Sequence, residues 1–402
     1  MNSIKKLNSV KQSCSLNGYN NNSMVSNLYI HIPFCLKKCA YCDFYSVYGS
    51  EAVVHSYIEA LCREIEMQKD HIWHLETIYI GGGTPSILKV EHIAMIIDLL
   101  QGTGLISAGA EITSEANPGT LNEGRIKGML AAGINRISIG VQSLRDSELA
   151  VLGRMHDAAG AENAFRIARE GGFGNISADL IYGIPGQDLM SWKDTLERTV
   201  LLRPEHISTY ELTPEKNTVL FEKLEKGHLK LPDEEIVTDM YNSTIAMLED
   251  NGYVHYEISN FALPGRECRH NLNYWNRGEY LGIGAGAHSF EGGRRTADVS
   301  DVDRYIAEIN ENRLPIAEEL TLTIEDELDE LLFLGLRKTE GFDLGLVSSE
   351  TAARLKKAPD DRVLRGLVEL SGNHIRLTKK GLLFCNEVIV RIMLDIERHR
   401  PS

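Results

Sequence analysis

The chain has 402 residues, 43% of them hydrophobic and 25% charged, with a formal net charge of −15. That is a globular composition with room for one large core and a smaller second unit. So acidic a surface excludes a general nucleic-acid binder, which needs a basic face for phosphates, and no apolar run is long enough for a membrane-spanning helix.

In chain order, residues 1–27 begin MNSIKKLNSVKQSCSLNGYNNNS, rich in Asn and Ser with no acid, and read as a disordered polar tail. Met24 is an alternative start. A targeting role for the tail is disfavoured, because Arg is absent and the apolar face is poor. Short apolar runs then recur at 28–32 (LYIHI), 77–83 (TIYIGGG), 111–118 (EITSEANP), 136–143 (RISIGVQS), 176–183 (ISADLIYG) and 206–212 (HISTYEL). Helical patterns such as VVHSYIEALCREIEMQ and SWKDTLERTVLL lie between them. The alternation predicts an α/β fold with a parallel sheet, and its spacing predicts a partial (β/α)6 barrel over 28–260.

Each predicted strand ends in polar chemistry: a cysteine loop, Gly81-Gly82-Gly83-Thr84, Glu115 with Asn117, Gln142, Asp179, and Tyr210 with Glu211. In a β/α barrel, ligand-contacting residues gather at the carboxyl ends of the strands, so these ends predict one shared site. Residues 261–320 change texture, with FALPGRECRHNLNYWNRGEYLGIGAGAHSF rich in Gly and aromatics, and read as a connecting region. In 321–402, TLTIEDELDELLFLGLRKTEGF reads as a helix capped by Thr323, with acids in its first turn and Gly341 after its basic end. HIRLTKKGLLFCNEVIVRIML reads as a strand, a Thr cap and a helix. Together they predict a smaller C-terminal α+β domain of winged-helix type, whose acidity favours a packing or partner role over DNA binding.

Of seven cysteines, Cys35, Cys39 and Cys42 cluster directly after the first strand; Cys14, Cys62, Cys268 and Cys385 are scattered. Structural zinc wants a closed tetrahedron of Cys and His, and no second Cys pair exists here. A thioredoxin-like site leaves the third cysteine unexplained. A cubane iron–sulfur cluster normally takes four thiolates, so with three, one iron stays open to an external ligand. A molecule with an amine and a carboxylate, such as S-adenosylmethionine (SAM), can chelate that iron.

Cx3Cx2C after a first barrel strand resembles the radical SAM superfamily. Gly81-Gly82-Gly83-Thr84-Pro85 looks like its GGTP segment, whose glycines let backbone approach the methionyl group. DLIYGIPGQ (179–187) is similar to a signature of the coproporphyrinogen-oxidase-like branch. The resemblance covers residue 28 to the C-terminus and implies a 4Fe–4S cluster on Cys35, Cys39 and Cys42. It also implies SAM contacts from Tyr29, Tyr41, Gly82, Gly83, Thr84, Glu115, Gln142, Arg154 and Asp179. Chemically, Arg154 suits the SAM carboxylate, and the acids suit its amine or ribose hydroxyls.

Two functions compete within that branch. The oxygen-independent coproporphyrinogen III oxidase carries a further cysteine two residues after the third, where this chain has Phe44, and a longer N-terminal region. The sister family of heme chaperones, HemW, carries HNxxYW, matched here by His270, Asn271, Tyr274 and Trp275. The resemblance thus implies heme as a further ligand, with His270 as candidate iron ligand and the aromatics as macrocycle surface. Read from chemistry alone, the same stretch is a buried His with aromatic packing, and Cys268 is a candidate axial thiolate or an inert core thiol. The expectation is a heme chaperone handing heme to acceptor hemoproteins such as membrane respiratory proteins. A homodimer, a cytoplasmic location and peripheral contact with the inner membrane are expected with it. The oxidase or another tetrapyrrole-modifying enzyme is the alternative.

Overall fold

The structure, a computed structural model, describes residues 24–398. Of the tail expected over 1–27, residues 1–23 lie outside the described residues, and Val25, Ser26 and Asn27 belong to the first strand. Six strands run parallel: β1 (Val25–Ile32), β2 (Ile72–Gly82), β3 (Ile106–Ala116), β4 (Arg136–Gln142), β5 (Ile176–Tyr182) and β6 (His206–Glu211). Alternation explains β1. Leu28, Ile30 and Ile32 are fully buried in the core shared with the helices, while Tyr29 and His31 point to the opposite, concave face. The helix Glu51–Gln68 illustrates the outer layer. Ser50 caps it by accepting from the Val53 amide, and it buries Tyr57, Ile58, Leu61 and Ile65.

Three further strands complete the sheet. β7 (Val254–Glu257) and β8 (Asn260–Ala262) extend the β6 edge in antiparallel fashion, and β9 (Leu281–Ile283) lies parallel to β1 on the other edge. The order is β7-β8-β6-β5-β4-β3-β2-β1-β9 among the described residues, so this is an open, partial barrel. The Gly/aromatic stretch 261–320, expected as a connection, therefore supplies sheet strands of its own. It also forms most of a second antiparallel sheet, β10 (His288–Glu291), β11 (Arg294–Asp298) and β12 (Ile316–Thr321).

Pairing register stacks the concave side chains in rows. Asn27, Thr77 and Glu111 form one. Tyr29, Tyr79, Thr113 and Arg136 form the next, two residues toward the carboxyl ends. Above them Glu115, Ser138, Ser177 and His206 align.

The C-terminal unit combines β13 (Phe342–Asp343), β14 (Val368–Ser371) and β15 (His374–Leu377), ordered β13-β15-β14, with helices Ile324–Gly335 and Cys385–Arg398. Thr323 caps the first of these helices in a capping box with Asp326. That helix ends at Gly335, earlier than the sequence pattern suggests, because the chain turns there to lay Phe342 against it: a Cβ on Gly335 would sit 2.9 Å from Phe342. Glu330 ties this unit to the barrel side, bonding Arg277 Nε at 3.0 Å and Arg295 Nε at 2.5 Å, and both guanidiniums lie over the Phe290 ring. Among the described residues no helix is long and apolar enough to cross a membrane.

Candidate functional site

The loop after β1 carries Cys35, Cys39 and Cys42 with their thiols half-buried. Backbone bonds fix it: Cys35 N to Val47 O at 3.0 Å, Val47 N to Pro33 O at 2.7 Å, and Ala40 N to Leu152 O at 3.0 Å. The Gly81–Thr84 segment after β2 lies against it, with Gly83 N on Ile32 O at 2.8 Å and Thr84 N on Phe34 O at 2.9 Å. That approach requires glycine, since a Cβ on Gly83 would stand 2.7 Å from the Phe34 carbonyl oxygen. Cys35 Sγ is 3.4 Å from Thr84 Oγ1, and Arg154 Nη1 donates to Cys39 Sγ at 3.4 Å.

The strand ends converge on the same mouth. Glu115 accepts from Tyr79 Oη at 3.0 Å and from the Gly82 amide at 3.1 Å. Burial, and then the neighbouring Asp179 carboxylate, push its pKa up to about 7. Asp179 accepts from Ser138 and Ser177, and burial raises it as well. Gln142 stands at φ +68°, next to a register shift in the β4–β5 pairing, a strained conformation for a side chain of its size. Arg154 Nη2 donates to Gly140 O at 2.8 Å, but its Nε is buried with no partner. Tyr41 lies beside Arg154, and Tyr29 bonds His31 Nδ1 at 3.0 Å. The structure thus brings Cys35, Cys39, Cys42, Tyr41, Thr84 and Arg154 together, with Gly82, Glu115, Gln142 and Asp179 beside them.

These residues fit an iron–sulfur cluster with one open iron. Burial raises the Cys42 thiol, and the neighbouring Cys39 and Cys35 raise it further; binding to iron would offset that cost. Among the described residues no group of three or more His, Cys, Asp or Glu converges on a single ion. The orphaned Arg154 Nε and the strained Gln142 lie beside the thiols, where an anionic ligand group would give the arginine a partner.

The HNxxYW residues are elsewhere. Helix Arg269–Trp275 packs on the lowest row of the barrel. Glu111 accepts the backbone N–H of Arg269 and of His270, each at 3.3 Å. His270 is 1% exposed, with Nδ1 2.7 Å from Thr77 Oγ1 and Nε2 2.9 Å from Tyr274 Oη, so both ring nitrogens are engaged. Burial and then the Arg136 charge lower its pKa to about 3, which keeps it neutral. Trp275 faces the C-terminal unit, with the Arg337 guanidinium 5.7 Å over its ring. Asn271 lies on the same short helix. Cys268 is fully buried and points its thiol at Glu111, and burial pushes its pKa up to about 12, as in a protonated core thiol.

Sequence reasoning passed over Tyr79, Thr113, Arg136 and Ser138. The signal for Tyr79 was present: it alternates with Ile78 and Ile80 as Tyr29 does with Leu28 and Ile30. Arg136, at the start of an apolar strand, gave no such signal.

Comparison with known proteins gives a consistent picture. Residues 29–199 match the radical SAM superfamily model, and 322–384 the HemN C-terminal domain. The chain is 38% identical over 371 residues to "Heme chaperone HemW" of Bacillus subtilis, covering 90% of this chain and 98% of that one. It is 41% identical to the protein of the same name from Haemophilus influenzae, covering 69% and 73%. It is 33% identical to "Radical S-adenosyl methionine domain-containing protein 1, mitochondrial" of Danio rerio, covering 92% and 88%. Among solved structures, coproporphyrinogen III oxidase (HemN) from Escherichia coli, a radical SAM enzyme, superposes with a TM-score of 0.79 at 25% identity, covering 92% and 90%.

Proposed function

The chain belongs to the HemW family of the radical SAM superfamily, and from that premise we propose that it is a heme chaperone, binding heme and passing it to acceptor hemoproteins. The observation that carries the reading is similarity along 98% of the Bacillus subtilis heme chaperone. The cysteine loop supports it, because Phe44 occupies the position where the oxidase has a further cysteine. Acceptors among membrane respiratory hemoproteins and a homodimeric state extend the same proposal.

In this reading Cys35, Cys39 and Cys42 hold a 4Fe–4S cluster. With one iron open, such a cluster supplies a chelation point for SAM and a low-potential electron. The chain's own residues do the rest. Arg154, fixed by Gly140 O, pairs the SAM carboxylate. Gly82, Gly83 and Thr84 offer backbone without obstructing side chains. Glu115 and Asp179 accept from the amine or ribose hydroxyls, and Tyr29, Tyr41 and Gln142 wall the pocket. Heme is assigned to His270, Asn271, Tyr274 and Trp275. Iron ligation by His270 then requires its bond to Thr77 or to Tyr274 to open, which makes heme uptake a gated event.

An anaerobic hemin titration followed by the Soret band tests this. Saturable binding by the wild type that is lost in His270→Ala, and eased in Tyr274→Phe, is the expected result. A wild type without specific hemin binding overturns it. SAM turnover coupled to decarboxylation of coproporphyrinogen III would move the assignment to the oxidase, the reading favoured by the HemN superposition.

A further inference from the structure

A guanidinium stands inside the barrel with nothing to bind. Arg136, the first residue of β4, is 1% exposed, and its Nε is fully enclosed without a partner. Among the described residues its side chain makes no hydrogen bond and no ion pair. The surrounding carboxylates are engaged elsewhere: Glu111 with the Arg269 and His270 amides, Glu115 with Tyr79 and Gly82, Asp179 with Ser138 and Ser177. The nearby imidazoles, His206 and His270, are held neutral by burial and by the Arg136 charge itself.

A second orphan adjoins it. Thr113 pairs in register with Arg136, and its Oγ1 is likewise buried without a partner. Tyr79 and Tyr29 continue the same row, stacked at 6.3 Å with 23° between their planes. Buried polar groups are normally satisfied, and an unpaired buried cation is costly. A guanidinium fork matches a carboxylate, and a threonine hydroxyl can donate a further bond.

We propose that Arg136 and Thr113 form a carboxylate-binding subsite on the inner wall of the barrel, taking one carboxylate arm of the bound heme. The proposal rests on the heme-chaperone reading and adds to it a recognition element outside the cysteine loop and distinct from the HNxxYW residues.

The test compares hemin with its dimethyl ester, whose carboxylates are masked, on wild type, Arg136→Met and Thr113→Val, with SAM titrated in parallel. The wild type should prefer the free acid by about tenfold or more. Arg136→Met should bind both forms alike, Thr113→Val should fall between, and SAM affinity should be unchanged in Thr113→Val. The proposal is overturned if the wild type binds both hemins equally, if Arg136→Met keeps the preference, or if Thr113→Val loses SAM instead. Should Arg136→Met fail to fold, Thr113→Val decides: a reduced preference supports the subsite and an intact one removes it. A wild type that binds neither hemin refutes the chaperone reading together with the subsite, whereas binding without discrimination refutes the subsite alone.

Discussion

Tyr79 joins the two candidate regions: its hydroxyl donates to Glu115 Oε1 at 3.0 Å, and its ring stacks on His270 with centroids 5.3 Å apart. Tyr79→Phe separates these roles. The ring and its stack remain, while Glu115 loses a donor that favours its ionised form. SAM affinity at neutral pH should fall several-fold and hemin binding should stay at the wild-type level. Tyr79→Leu, which also removes the stack, should lower stability by about 1 kcal/mol beyond Tyr79→Phe, read by denaturant unfolding.

Glu115 predicts a pH signature. Its folded pKa, about 7, lies above the ordinary carboxyl value of 4.5. The unfolded chain therefore gives up this proton first, and stability falls as pH rises from about 4.5 to 7, with the full cost present above that. Glu115→Gln removes the cost. Unfolding of the cluster-free protein should show the variant more stable by a few kcal/mol at about pH 8, with no gain near pH 4. SAM affinity of the wild type should rise across the same window, and that rise should be missing in the variant.

Gly83 should matter to metal loading although it ligates nothing. An alanine there meets the Phe34 carbonyl at 2.7 Å, and only a shift of the cysteine loop relieves the contact. Iron content after anaerobic reconstitution should drop by roughly half or more in Gly83→Ala, and nearly to zero in Cys35→Ser, Cys39→Ser or Cys42→Ser. Cys62→Ser and Cys385→Ser should load fully; their losing iron would count against the three-cysteine assignment.

Glu330 holds two arginines at once, Arg277 and Arg295, which share the face of Phe290. Glu330→Ala leaves two partly buried cations without it and should cost about 2–3 kcal/mol in urea unfolding. Glu330→Gln, which keeps hydrogen-bond acceptors, should cost less. Equal stability of both variants with the wild type would show that the two units do not depend on this clasp.

The strands and the cysteine loop were legible because their signals are local: a period of two, and three thiols within eight residues. The capped helix after Thr323 was legible for the same reason. The row holding Tyr29, Tyr79, Thr113 and Arg136 was not, because it depends on the register of four strands far apart in sequence. HNxxYW was visible as a motif, but its placement under the barrel and the locking of both His270 nitrogens depend on Thr77, almost two hundred residues earlier in the chain. Nor does sequence reveal the left-handed backbone of Gln142, which follows from the irregular pairing of its strand.

The pairing of β9 with β1 has a consequence for how the molecule is made. Leu28, Tyr29 and Ile30 find their outer partners only in Leu281, Gly282 and Ile283. A ribosome emits the six parallel strands long before it reaches that segment. Throughout that interval the strand leading into the cysteine loop has one open flank, a template for pairing with another nascent chain. Completion of β9 is therefore the step that shields this edge, and premature termination before residue 281 should yield aggregates in place of a smaller working barrel. The loop that receives iron is anchored by one of the first strands synthesised and sheltered by one of the last strands of its sheet.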